Sequence, residues 1–262
     1  MLDEGREEPS GTESVSLLAD LRVALRANFD LQFVTKYIRL LFPFPLECRL
    51  AMSLFSHLPV EPTHEELFPG AVLMRSLALP HDAEFFAAIE SIVAAAPLHH
   101  ATTPSGLPMG VMVSDCGTPE AFRRRWDPAN PAVKRLWPLM PRVLSEFAIR
   151  CAVRSGFPLF RPDSCHINRY QASTKLGLHQ DRHECDMTQP IVSISLGLEC
   201  VFLLGGVQRT DATKRILLEH GDVIVWGGPS RMRFHGVLPL KPGHHALTGP
   251  YRYNLTFRKV AA

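Results

Sequence analysis

The chain has 262 residues, of which 46% are hydrophobic and 21% charged, with a formal net charge of +2. That length can bury one sizeable core, and that composition excludes wholesale disorder, collagen-like repeats and coiled coil. The charge is uneven: residues 1–65 hold 6 basic and 10 acidic groups, whereas residues 66–262 hold 22 and 16. Of the 28 basic residues 22 are Arg, so the body of the chain could meet an anionic partner. No apolar run approaches the roughly 18 residues of a membrane span, and the acidic, polar start does not read as a secretory signal. Six scattered Cys without a C-x-x-C pair fit free thiols in a reducing compartment. The expectation is a cytoplasmic protein without membrane contact, and a monomer.

Residues 1–15 read as a disordered tail. Leu17, Leu18, Leu21, Val23, Ala24 and Leu25 are spaced for a helix over Ser16–Phe29. The apolar stretch that follows is broken by Pro43 and Pro45, and EPTHEEL (61–67) reads as a boundary. From Gly70, GAVLMRSLAL predicts a strand. DAEFFAAIESIVAAA (82–96) predicts a helix, with Asp82 as N-cap. MGVMVSD (109–115) predicts a strand, CGTPEAFRRRWDPANP (116–131) a polar loop. PRVLSEFAIRCAVRS (141–155) predicts a helix, with Gly156 as its C′ residue. The last hundred residues carry many short strand signals separated by turns, which indicate a sandwich, jelly roll or barrel. The fold class expected is α+β: supporting helices first, then an antiparallel double-sheet β domain over residues 66–262. Residues 1–65 are expected to be a separate acidic, helical extension.

Within LGLHQDRHECD, His179 and Asp181 are two apart on a predicted strand, so alternation places them on one face. His235, in RMRFHGV, lies on another strand near the chain end. Two His and one carboxylate that leave adjacent positions open form the facial triad of non-haem Fe(II) oxygenases. An isolated H-x-D is a weak signal, and His183 offers a competing H-x-D-x-H reading that suits zinc.

The strand YRYNLTFRK sharpens the reading. Alternation puts Arg252, Asn254, Thr256 and Arg258 on one face and Tyr251, Tyr253, Leu255 and Phe257 on the other. Buried Arg requires an anion, and a dicarboxylate offers one at each end. Asn168 and Tyr170 of HINRY share a face and can add hydrogen bonds. The competing reading is a strand with its polar face in solvent. Triad and Arg-lined pocket together imply Fe(II), 2-oxoglutarate and O2.

These residues resemble the AlkB-type Fe(II)/2-oxoglutarate dioxygenases, which repair alkylated nucleobases. The resemblance rests on INRYxxxxKLxLHQDxxExD, PIVSxSLGL, VFxxGG, KRILLEHGDVxVWGG, SRxxxHGVxPLK and RYNLTFR, all in family order, and covers about residues 66–258. It implies a double-stranded β-helix (jelly-roll) core and His179, Asp181 and His235 as iron ligands. It implies Arg252 for the far carboxylate of 2-oxoglutarate and Arg258 for the end near the iron. Asn168, Tyr170, Asn254 and Ser193 would line that pocket. The activity implied is oxidative demethylation of N1-methyladenine or N3-methylcytosine in single-stranded DNA, with release of formaldehyde. RNA or another substrate for the same chemistry, and a non-catalytic nucleic-acid-binding module, are the alternatives.

The base-reading parts depart from the family pattern. Phe122 and Trp126 are the aromatics of a loop that reads as shortened, and are candidates either for base contact or for anchoring that loop. Arg123, Arg124 and Arg125 are candidates for phosphate contact or a solvated face. His183 stands where the family usually has an Asp that bonds the exocyclic amine of the base. A neutral His can donate as well as accept, which makes methylguanine a further candidate. Glu184 and Arg209 match family positions near the substrate. Trp226 reads as a packing residue.

Overall fold

The computed structural model describes residues 63–102, 108–125, 137–182 and 184–261. They belong to one unit, Val60–Ala262. The expected tail, the Ser16–Phe29 helix and the apolar stretch after it lie outside the described residues.

Among the described residues the first elements are strands. The EPTHEEL segment holds strand β1 (His64–Phe68), followed by β2 (Ala71–Met74). The boundary expected there is an edge strand: His64, Glu65 and Glu66 are exposed and only Leu67 is buried, a polar pattern that hides a strand from periodicity. A 3₁₀ turn (Leu79–His81) leads into α1 (Asp82–Ala95). Asp82 is the first helical residue rather than the N-cap. The N-cap is His81, and Asp82 Oδ1 accepts from the Ala83 N–H at 2.6 Å. Strands β3 (His99–Thr102) and β4 (Pro108–Gly117) follow. The segment read as a polar loop contains a short helix, α2 (Pro119–Arg125), and α3 covers Arg142–Arg154. Gly156 has φ +88°, as a left-handed C′ residue requires.

Eight more strands complete the chain: β5 (Ser164–Tyr170), β6 (Leu176–His179), β7 (Ile191–Gly197), β8 (Cys200–Leu204), β9 (Lys214–Leu218), β10 (Val223–Trp226), β11 (His235–Val237) and β12 (Arg252–Arg258). They fall into two sheets. The larger has the order β1-β2-β10-β7-β12-β5-β4-β3, the smaller β6-β11-β8-β9. From β5 onward the chain passes between the two sheets at every step except the β8–β9 hairpin. This is a double-stranded β-helix, as expected.

The core has two layers. Val192, Ile194, Val223, Val225, Leu255 and Phe257 cover one face of the large sheet and pack on Phe85, Ile89, Ile92, Leu144 and Phe147 of α1 and α3. The opposite face supplies Tyr170, Ile191, Ile224 and Trp226, which meet Phe202, Leu204, Ile216 and Val237 of the small sheet. The central strands are therefore buried on both faces, and β7 has no exposed residue. No helix among the described residues is long and apolar enough to cross a membrane.

Candidate active site

The mouth of the β-helix encloses a cavity of about 620 Å³. His179 ends β6 and His235 starts β11, and the two are direct partners in the antiparallel pairing. Gly236 permits this close approach, because a Cβ there would lie 2.7 Å from the Leu176 carbonyl oxygen. Asp181 stands two residues beyond the end of β6. The ligating atoms of His179, Asp181 and His235 all lie within 4.8 Å of one another. His179 Nε2 is 3.7 Å from Asp181 Oδ1, and His235 Nε2 is 3.8 Å from Oδ2. Both imidazoles use Nδ1 for backbone carbonyls, His179 to Gly177 at 2.9 Å and His235 to Arg233 at 3.1 Å. A carbonyl only accepts, so Nδ1 carries the proton and each Nε2 lone pair faces the partner ligands.

The electrostatics favour a cation. Burial would raise the Asp181 carboxyl, but Arg258, His235 and His179 outweigh it and hold it well below the usual carboxylate range. Burial pushes His235 down to about 4, against the pull of Asp181, so it is neutral at physiological pH. Arg258 Nη2 lies 2.9 Å from Asp181 Oδ2, an ion pair without hydrogen-bond alignment, and that buried oxygen accepts no aligned hydrogen bond. A two-His, one-carboxylate set whose Nε2 lone pairs face an ionised, underused carboxylate fits Fe(II).

Arg252 marks the other end of the cavity. It is 1% exposed, on the central strand β12. Its Nη2 donates to Ser195 Oγ at 2.9 Å and Nη1 to the Leu198 carbonyl at 3.4 Å, while Nε has no hydrogen-bond partner among the described residues. No carboxylate among the described residues pairs with it. A buried guanidinium with unused donors is a built receptor for a carboxylate. Between Arg252 and the metal-ligand set runs a polar row. Asn254 Nδ2 donates to Ser193 Oγ at 2.7 Å, and Asn254 Oδ1 accepts from Thr256 Oγ1 at 3.0 Å and Asn168 Nδ2 at 3.3 Å. Tyr170 lines the same wall, and burial drives its hydroxyl far above the ordinary range. All nine residues expected to hold metal or co-substrate are thus in one cavity.

The substrate candidates divide. Arg209 lines the cavity, its guanidinium 5.8 Å above the Phe234 ring. Glu184 lines it too, but is buried between two Arg: Oε2 accepts from Arg231 Nη2 at 3.0 Å and Oε1 lies 3.7 Å from Arg258 Nε. Its carboxylate is already engaged. Phe122 is not in the lining; it packs edge-on against Trp137 with centroids 5.7 Å apart, the anchoring alternative. Arg123 pairs with Glu120 at 2.7 Å on the surface. Trp126 and His183 lie outside the described residues. Trp226 packs as expected, 5.0 Å from His235 between ring centroids, and also borders the cavity.

Sequence reasoning missed two features. Arg231 donates to the Asp181 carbonyl at 2.6 Å and to the Gln189 carbonyl at 2.9 Å as well as to Glu184, so it holds the segment that carries a metal ligand. Its place in the SRxxxHG run, four residues before His235, was the signal that could have found it. His166 lines the cavity with its Nδ1 2.7 Å from Asp115 Oδ1, a pairing that only strand register creates.

Comparison with known proteins agrees with this geometry. Residues 70–258 match the family model of the 2OG-Fe(II) oxygenase superfamily. The chain is 44% identical over 204 residues to the alpha-ketoglutarate-dependent dioxygenase AlkB of Escherichia coli, covering 76% of this chain and 94% of that protein. It is 33% identical over 135 residues to the human nucleic acid dioxygenase ALKBH1, covering 49% of this chain and 34% of that one. The solved structure of OsALKBH1 superposes with a TM-score of 0.64 at 28% identity, covering 75% of this chain and all of that one. With its metal-ligand triad, buried arginine receptor and β-helix, the chain belongs to the AlkB-type Fe(II)- and 2-oxoglutarate-dependent dioxygenases.

Proposed function

We propose that the protein is an oxidative demethylase of N-alkylated nucleobases in single-stranded DNA, acting as a cytoplasmic monomer. The observation that carries the reading is one cavity holding His179, Asp181 and His235 at one end and Arg252, without a carboxylate partner, at the other. The relatives named AlkB and nucleic acid dioxygenase point the same way. In this reading residues 66–262 form the catalytic domain and residues 1–65 an extension.

His179, Asp181 and His235 would hold Fe(II). Bound iron, with 2-oxoglutarate and dioxygen, supplies hydroxylation of an N-linked methyl group coupled to conversion of 2-oxoglutarate to succinate and carbon dioxide; the hydroxymethyl group then leaves as formaldehyde. Arg252, assisted by Ser195, takes the far carboxylate. Asn168, Tyr170, Ser193 and Asn254 form the wall along which the co-substrate lies, and Arg258 stands at its iron end. Arg209 reaches the substrate from the rim. Glu184 acts through Arg231 and Arg258, keeping Asp181 in place. The apolar lining of Met109, Val111 and Val113 excludes water and suits a flat base taken out of its stack.

The test is incubation with Fe(II), 2-oxoglutarate and ascorbate on single-stranded DNA oligomers, each carrying one methylated base, with mass spectrometry for loss of the methyl group. His179→Ala runs in parallel. Demethylation by the wild-type protein alone is expected. Succinate without demethylation of any oligomer would leave an oxygenase with another substrate. The human relative's name covers nucleic acid in general, so RNA oligomers form the second arm.

A further inference from the structure

The cavity wall contains a polar residue, His166, backed by a carboxylate, that neither metal nor 2-oxoglutarate explains. Strand β5 faces the cavity with Tyr170, Asn168 and His166 in succession. The first two stand opposite Arg252 and Asn254 on β12, in the row assigned to 2-oxoglutarate. His166 is one rung further, opposite Thr256 on β12 and Asp115 on β4. On the β4 side its neighbours along the wall are the apolar Val111 and Val113. Its side chain is 16% exposed and that of Asp115 11%, and Nδ1 and Oδ1 are 2.7 Å apart. An ionised carboxylate only accepts, so Nδ1 carries the proton. In the neutral ring, Nε2 is then an acceptor, and it has no hydrogen-bond partner among the described residues. A largely buried imidazole–carboxylate pair costs desolvation that a Leu would avoid. An oriented acceptor is what that cost provides.

We propose that His166, set by Asp115, is a base-reading residue: its Nε2 accepts a hydrogen bond from the exocyclic amino group of the target base. The proposal deepens the nucleic-acid reading and rests on it. It assigns selectivity for bases with an amino group beside the methylated nitrogen over bases with a carbonyl there, because a carbonyl would face the Nε2 lone pair with no proton between them. Sites that bind a donor reject its absence more strongly than apolar pockets discriminate shape. Asp115 is the positioning residue that fixes the tautomer.

The cleanest pair of substrates is N3-methylcytosine and N3-methylthymine in the same single-stranded DNA sequence, since the amino group at C4 of one is a carbonyl in the other. The readout is the ratio of their kcat/KM values, with melting temperature as a check on folding. The wild-type ratio should favour methylcytosine. His166→Leu, which keeps the wall filled, should lower the ratio by roughly tenfold, the worth of one hydrogen bond to a partly buried group. Asp115→Asn can present either an oxygen or an amide to Nδ1, so Nε2 can become a donor and the ratio should move part of the way. A ratio unchanged in both variants, with the wild-type enzyme demethylating, overturns the proposal and leaves the demethylase intact. If His166→Leu fails to fold, His166→Val decides in its place: an unmoved ratio overturns the proposal. Wild-type protein that makes succinate but demethylates neither oligomer removes the nucleic-acid reading and this one with it.

Discussion

Arg252 sets the site apart from an ordinary metal centre. A zinc-binding β-helix would have no reason to bury a guanidinium whose acceptors among the described residues are Ser195 Oγ and a backbone carbonyl. Arg252→Lys keeps the charge and loses the planar fork. The KM for 2-oxoglutarate should rise about tenfold or more, the worth of a charge-assisted hydrogen bond, with kcat for succinate formation much less affected. An unchanged KM would remove Arg252 from co-substrate recognition. Alternation groups Arg252, Asn254, Thr256 and Arg258 on one face of β12, because a strand with period 2 declares its faces in the sequence, but it leaves open whether that face meets solvent or a cavity. The His166–Asp115 pair was not legible, since 51 residues separate its members and only the register of β4 on β5 joins them. Glu184 was legible as a position near the site but not as the partner of two Arg, for the same reason.

Among the elements, β6 and β11 carry two of the three metal ligands on seven residues. Their spacing depends on Gly236 against the Leu176 carbonyl. Gly236→Ala should separate the two strands by a few tenths of an ångström, lower stability by about 1–3 kcal/mol and weaken iron binding. Both are measurable, by thermal melting of metal-free protein and by metal titration. Retained affinity with a lowered melting temperature would show that the triad tolerates the shift. The elements that sequence reading missed are those with little amphipathic signal. Strand β1 is polar because it is an edge, and α2 is two turns long in a segment whose Pro and charged residues read as loop. The helix begins at Asp82 as expected, but the cap falls one position earlier, on His81, and the Asp82 carboxylate serves its neighbour's N–H and His220 Nε2 at 3.0 Å.

For the whole molecule the site is a source of acid sensitivity. His235 titrates near 4 in the folded protein because it is buried, and near 6.5 in the unfolded chain. Above pH 6.5 neither state binds the proton. As pH falls from 6.5 towards 4 the unfolded chain takes it up and the folded protein does not, so stability is lost across that window, by up to about 3 kcal/mol. Urea unfolding of metal-free protein at pH 7, 6 and 5 should show the loss, and His235→Gln should flatten it. An identical pH slope in the variant would assign the sensitivity elsewhere.

The two halves of the cavity belong to different sheets. His179 and His235 hang from the small sheet, whereas Arg252, Asn254, Asn168 and Ser193 hang from the large one. A metal and a dicarboxylate that touch each other and both walls would act as a rivet through the sandwich. Each ligand at a hundred times its dissociation constant should add about 2.7 kcal/mol to stability by mass action. Bound in sequence, they should tighten each other's hold. Amide exchange would report it: removal of iron by a chelator should speed exchange at β6 and β11 while β7 and β12, clamped between two apolar layers, stay slow.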